Sequence, residues 1–226
     1  MGRLGKAQNR TGRAKKAAPR PYHHGDLRQA LIDAALEILS TGGEEPLTLR
    51  EIARRAGVTH AAPYRHFADK QALLAAVAED GFRGMHARMV EHMAPHPRGS
   101  LARLGACGVG YVTYAVDNPT HFRVMFGPGL LSARTSGSAD YPGLAEAGGA
   151  TFEALMTSVV EGQERGTIRP GDPQEIALAS WSLVHGLAML LVDGQLGLLD
   201  VGADRTQELT EKMSRLLQVG IAHSGP

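Results

Sequence analysis

The sequence predicts an all-α fold of about nine helices. A three-helix head near the N-terminal end is joined by a connecting helix to a larger helical body. Three observations predict it. Apolar residues recur at helical spacing through most of the 226 residues. Helix starts are written out by capping residues at Thr48, Asn118 and Asp172. Clusters of Gly, Pro and Ser separate the periodic segments.

The first helix is expected from about Asp26 to Leu39, with Asp26 capping and Gln29 completing a box-like pair. Leu27, Leu31, Ala34, Ala35 and Ile38 form its buried stripe, and Thr41, Gly42 and Gly43 stop it. Pro46 forces an extended entry into TLREIARRAGVTHAAPYRHF, residues 48–67. There Thr48 and Glu51 make a capping box, and Leu49, Ile52, Ala53 and Ala56 share one face. Gly57 ends that helix where a positive φ is needed, Val58 plugs the turn, and Thr59 caps a second short helix. Two short helices about a glycine turn have the layout of a helix-turn-helix reader of DNA. A long helix from Asp69 to about Met93 walls the head through Leu73, Leu74 and Val77, then leaves it.

Pro95, Pro97, Gly99 and Ser100 break the chain before a helix at 101–117. Asn118 and Pro119 are the cap and first position of a short helix that Gly127-Pro128-Gly129 ends. Residues 132–149, rich in Gly, Ser and Ala, read as a flexible loop, and 151–165 as helix. Asp172, Pro173 and Glu175 open a helix that is apolar nearly all round to Val192. Its 17-residue core run from Ile176, with a histidine inside and acids at both ends, is short for a membrane span. Burial on one side and a partner on the other suits it better. Leu209, Met213, Leu216 and Leu217 repeat the pattern in the last helix. The segments at about 173–192 and 204–221 are therefore expected to form a four-helix homodimer interface.

Charge is unevenly placed. Residues 1–70 carry 13 basic and 7 acidic groups, +6, whereas the remainder carries 11 and 16, −5. Seven of the basic groups fall in residues 1–20, with no acid among them, so residues 1–24 read as a disordered basic arm suited to a polyanion. No apolar run follows those charges, as a signal peptide would require. Cys107 is the single cysteine, which excludes an internal disulfide framework and points to a reducing, cytoplasmic setting. As a residue it reads as a small core side chain.

The chemistry of DNA assigns roles within the motif. Thr48 and Arg50 sit at a helix start, where backbone N–H groups and the positive dipole end favour a phosphate. Thr59, His60, Ala61 and Ala62 head the recognition element and are placed to reach base edges. The two alanines let the backbone approach or meet a thymine methyl. Arg54 and Arg55, a turn on, fit a phosphate, a salt bridge or solvent.

The run TLREIARRAGVTHAAPYRHFADKQALL resembles the N-terminal domain of TetR-family transcriptional regulators. The shared features are the Thr-capped helix, A-x-x-A-G-V-[ST], the pair Tyr64 and Phe67, and Asp69-Lys70 before Ala72-Leu73-Leu74. The resemblance covers about residues 25–85 and implies a DNA-binding domain there, with a ligand-binding and dimerisation domain at 86–226. It implies phosphate contacts for Tyr64, His66 and Lys70, with Arg65 beside them or in solvent. Pro63 departs from the family's aliphatic residue; proline fits only a first helical turn, so the recognition helix starts no earlier than Thr59.

Trp181, His185 and Gly186 in WSLVHGL resemble the "WHG" subgroup of the family's C-terminal domains. Four residues apart, Trp181 and His185 share a helix face. They either pack the core or wall a ligand cavity, for which Tyr111, Phe122, Met125, Phe126 and Met189 are further candidates. The resemblance implies a repressor that holds a near-palindromic double-stranded DNA operator as a dimer until a small-molecule effector, of unknown identity, releases it. The alternative is a DNA-binding protein acting without a ligand. No cofactor or metal is called for: His92 and His96 have metal spacing, but Pro95 and Pro97 disfavour helix there. No catalytic motif is found, so no enzyme is expected.

Overall fold

The computed structural model describes residues 26–41, 47–130, 140–197 and 205–222. Among the described residues there are eight α-helices: α1 (Asp26–Ser40), α2 (Leu49–Arg55), α3 (Lys70–Met93), α4 (Leu101–Asp117), α5 (Pro119–Phe126), α6 (Pro142–Glu164), α7 (Pro173–Val192) and α8 (Thr206–Ile221). Two 3-10 turns, Pro63–Arg65 and Pro128–Leu130, complete the described elements, with one isolated antiparallel bridge between Ile168 and Ala222. The basic arm and the Pro46 entry lie outside the described residues.

The caps explain where most helices begin. Thr48 Oγ1 accepts from the Glu51 N–H (3.1 Å), Asp69 Oδ1 from the Ala72 N–H (2.8 Å), and Asp172 Oδ1 from the Gln174 N–H (2.8 Å). Two expected caps act otherwise. Gln29 reaches forward to Asp33 (3.1 Å) rather than back, and Asn118 donates to the Tyr114 carbonyl, closing α4 rather than capping α5. Gly57 has φ +70°, the Gly57 N–H bonds to Arg54 O and the Val58 N–H to Ala53 O, so α2 ends in a Schellman motif.

Two expectations are corrected. The ninth helix, expected to run on from Thr59, is instead a turn over Thr59–Ala62 and the 3-10 turn Pro63–Arg65, with no side-chain cap. Pro63 offers no N–H, and the segment closes on i→i−3 bonds, Ala62 to Thr59, Arg65 to Ala62 and His66 to Pro63. The loop expected over 132–149 is helical from Pro142, which stands at the first position of α6. Leu144 and Ala147 are buried there and override the glycine content; residues 132–139 lie outside the described set.

Two hydrophobic clusters organise the chain. The head cluster joins Leu31, Ile32, Ala35 and Ile38 of α1, Leu49 and Ile52 of α2, Phe67, and Leu73, Ala76 and Val77 of α3. The body cluster begins on the other faces of the same α3, with Leu74, Ala78, Phe82, Met85 and Met89, and takes in α4 to α8. At Gly110 of α4 a Cβ would stand 2.7 Å from the Met89 Cα, so α3 and α4 approach backbone to backbone. α7 is long and apolar enough to cross a membrane by length and composition. Here it turns Ile176, Ala177, Ser180, Leu187 and Ala188 inward and leaves Leu178, Met189 and Leu190 exposed.

Candidate DNA-contact surface and ligand cavity

At the head, the residues assigned to DNA lie outward. Thr48, Arg50, Thr59, His60, Ala61, Tyr64, Arg65, His66 and Lys70 are exposed, and Ala62 is half-buried. Tyr64 is 61% exposed, high for an aromatic ring beside a core. Pro63 and Phe67 are buried beneath them, and the Arg28 guanidinium lies 5.8 Å over the Phe67 ring. Arg54 pairs with Glu51 within α2, and Arg55 with Glu37 of α1 at 2.8 Å, so Arg55 ties α2 to α1.

In the body, a cavity of about 420 Å³ lies between α3, α4, α5, α6, α7 and α8. Of the residues named from the sequence, Tyr111, Phe126 and Trp181 line it. His185 stands behind: Trp181 Nε1 donates to the Tyr111 hydroxyl (3.3 Å), which shares a 2.8 Å hydrogen bond with His185 Nδ1. Phe122 and Met125 are fully buried core, with the Phe122 ring 5.0 Å from Phe126 and 5.6 Å from His185. Met189 is not among the lining residues; it is exposed on α7. The rest of the wall was not anticipated: Leu104, Cys107 and Gly108 of α4, Gly148, Gly149 and Phe152 of α6, and Ser214, Leu217 and Gln218 of α8. Gly148 and Gly149 of α6 were the available signal, because a Cβ there would meet nothing closer than Phe82 Cε2 at 3.9 Å, leaving space where a helix ordinarily carries a side chain. Burial pushes the Cys107 thiol up to about 12, which leaves it a neutral wall group.

Between head and body lies a polar joint. His121 Nε2 of α5 sits 3.3 Å from Asp80 Oδ2 of α3, a polar contact whose angle misses a good hydrogen bond. The imidazole is the main influence holding the Asp80 carboxyl below its usual range; burial opposes it, and Arg28 and Arg83 add to it. Glu79 is 3.9 Å from Arg28 of α1 and 2.7 Å from Arg83.

Comparison with known proteins matches both halves. Residues 31–77 fit the description "Bacterial regulatory proteins, tetR family", and residues 104–217, half of the chain, fit "Tetracyclin repressor-like, C-terminal domain". The chain belongs to the TetR family. Among curated TetR-like relatives, the class C tetracycline repressor of Escherichia coli is 52% identical over 52 residues, 23% of this chain and 24% of that protein. The regulator SrpR of Pseudomonas putida is 50% identical over 52 residues, with the same coverage. These matches span about a quarter of each relative. Solved structures match nearly throughout: a protein of unknown function from Rhodococcus sp. RHA1 has 34% identity and a TM-score of 0.73, covering 90% of this chain and all of that one. The regulator FadR of Bacillus subtilis, solved with stearoyl-CoA, shares the TetR fold at 19% identity and a TM-score of 0.67, covering 85% and 98%.

Proposed function

We propose that this chain is a sequence-specific transcriptional regulator, a cytoplasmic repressor that binds a near-palindromic operator as a dimer and is released by a small molecule in the body cavity. The observation that carries this reading is α3. One continuous 24-residue helix begins with the exposed Lys70 at the head and continues to Phe82 and Met89, which line the cavity. A ligand that prefers one seating of those two side chains thereby prefers one position of the head. It can bias the equilibrium by no more than its differential affinity, typically about 1–3 kcal/mol.

Within the head, Thr48, Arg50, Tyr64, Arg65, His66 and Lys70 are the phosphate-side contacts, and Thr59 to Ala62 face base edges. The relatives' names, repressor and transcriptional regulator, support that direction. Exposed Leu178 and Leu190 on α7 and Leu216 and Val219 on α8 support a dimer through those helices, since such patches mark contact surfaces. Two heads would then sit about one DNA turn, or a small multiple, apart.

Selection of bound fragments from genomic DNA tests the reading directly. A near-palindrome is expected; fragments that share no sequence would overturn it. On the selected site, His60→Ala should relax preference at one or two base pairs. Lys70→Ala should weaken selected and random DNA alike and reduce the salt slope by about 1.

A further inference from the structure

The cavity wall is defined by what it offers a guest. No Asp, Glu, Lys, Arg or His side chain lines it among the described residues. Most of its polar groups are already engaged with protein. Thr151 Oγ1 donates to the Ala147 carbonyl (2.9 Å), Ser180 Oγ to the Ile176 carbonyl (2.8 Å), and Gln218 Nε2 to the Leu101 carbonyl (2.9 Å). The Tyr111 hydroxyl is held between Trp181 and His185. Ser214 is the exception. It lines the cavity from α8, is 8% exposed, and its hydroxyl bonds to no protein group among the described residues. Its hydroxyl is left to whatever fills the cavity, and a polar group taken out of water into an apolar space needs such a partner.

We propose that the cavity takes an uncharged, largely apolar molecule carrying one hydrogen-bonding group, and that Ser214 Oγ is the partner of that group. The inference rests on the ligand-responsive reading above and names the chemistry of the ligand. An ion entering here would give up its hydration and find no counter-charge. An apolar body gains from the ring and aliphatic wall, and a lone polar group finds its partner in Ser214.

Two dyes with the same rings separate the cases. N-phenyl-1-naphthylamine is neutral with one N–H, and 8-anilinonaphthalene-1-sulfonate adds an anion. Trp181 is the chain's one tryptophan and lines the cavity, so energy transfer from it to a dye reports occupancy. The neutral dye should bind at least about tenfold more tightly than the sulfonate, as expected where a charge has no partner. Ser214→Ala should weaken the neutral dye roughly two- to tenfold, the range of one hydrogen bond. Gly148→Leu should abolish transfer without lowering Tm. A Cβ at Gly148 meets nothing closer than Phe82 Cε2 at 3.9 Å, and leucine favours helix over glycine.

Equal affinity for the two dyes, with transfer lost in Gly148→Leu, would overturn the neutral-ligand inference. Neutral-dye binding unmoved by Ser214→Ala would overturn the assignment of Ser214, and binding unmoved by Gly148→Leu would put the site elsewhere. The same titrations with a selected DNA fragment keep the two proposals apart. Neutral dye that fills the cavity without altering DNA anisotropy refutes release by ligand while the cavity chemistry stands. A charged compound that enters and releases DNA does the reverse.

Discussion

In the head, every residue assigned to DNA falls between Thr48 and Lys70, and all but the half-buried Ala62 are exposed. In the body, the cavity draws side chains from Phe82 to Gln218 on six helices, and most of them are buried or half-buried. The head is a local device. A cap, a seven-residue helix, a glycine turn and a proline-started 3-10 turn present its surface, and the small core beneath only holds them still. The cavity is a property of packing, because no single stretch of the chain makes it. Damage to each region should therefore show in different measurements.

The largest effect is expected from Phe122→Ala. The ring is fully buried and meets Tyr111, Phe126 and His185 at centroid distances of 6.1, 5.0 and 5.6 Å. Its removal should cost about 3–5 kcal/mol in chemical denaturation. DNA affinity of the molecules that remain folded should stay near wild type, because the head cluster shares no residue with this ring. A loss below about 1 kcal/mol would mean that Phe122 is not part of a close-packed core.

The same contrast sets what the sequence could tell. Thr48, Gly57, Asp69 and Asp172 each declare a backbone event within a few residues, and the caps and the turn are found where they say. The cavity needed long-range information. The spacing of Trp181 and His185 put them on one face of a helix, yet only the fold brings Tyr111 between them by hydrogen bonds. Met189 shares the apolar composition of that face and points outward instead, since on a helix apolar all round composition does not choose a side. The recognition segment differs for another reason: Pro63 brings no N–H, the bonds from Thr59 to His66 are i→i−3, and a single i→i−4 bond, from the Phe67 N–H to the Pro63 carbonyl, closes the segment. Pro142 to Gly149 failed because tertiary burial of Leu144 and Ala147 outweighs weak propensity.

Gly57→Ala sharpens the local side of the contrast. A methyl there would meet nothing within 4 Å, so its cost is conformational: φ +70° disfavours any Cβ by about 1–2 kcal/mol. Thermal unfolding should show that loss, and DNA binding should fall further than stability does, because Gly57 aims the Thr59–Ala62 turn. Unchanged Tm would show that the turn adjusts freely and that the head is not a locally determined device.

The smallest effect belongs to the joint, where the two regions meet. Asp80 lies on α3 between them, faced by His121 of α5, Arg28 of α1, Arg83 of its own helix and the Tyr114 hydroxyl, whose pKa burial, with Asp80 adding, pushes up to about 12. Because its folded pKa lies below the ordinary 3.8, ionised Asp80 stabilises the fold above that value. The contribution fades as pH falls through the lower folded pKa. The side chain is 43% exposed, so solvent screens much of the interaction and the effect is modest. Wild type should melt slightly above Asp80→Asn at neutral pH, and the gap should close on the acid side below 3.8. A gap that stays constant through that range would mean that Asp80 acts by packing rather than charge, and that head and body are joined by α3 and its apolar faces alone.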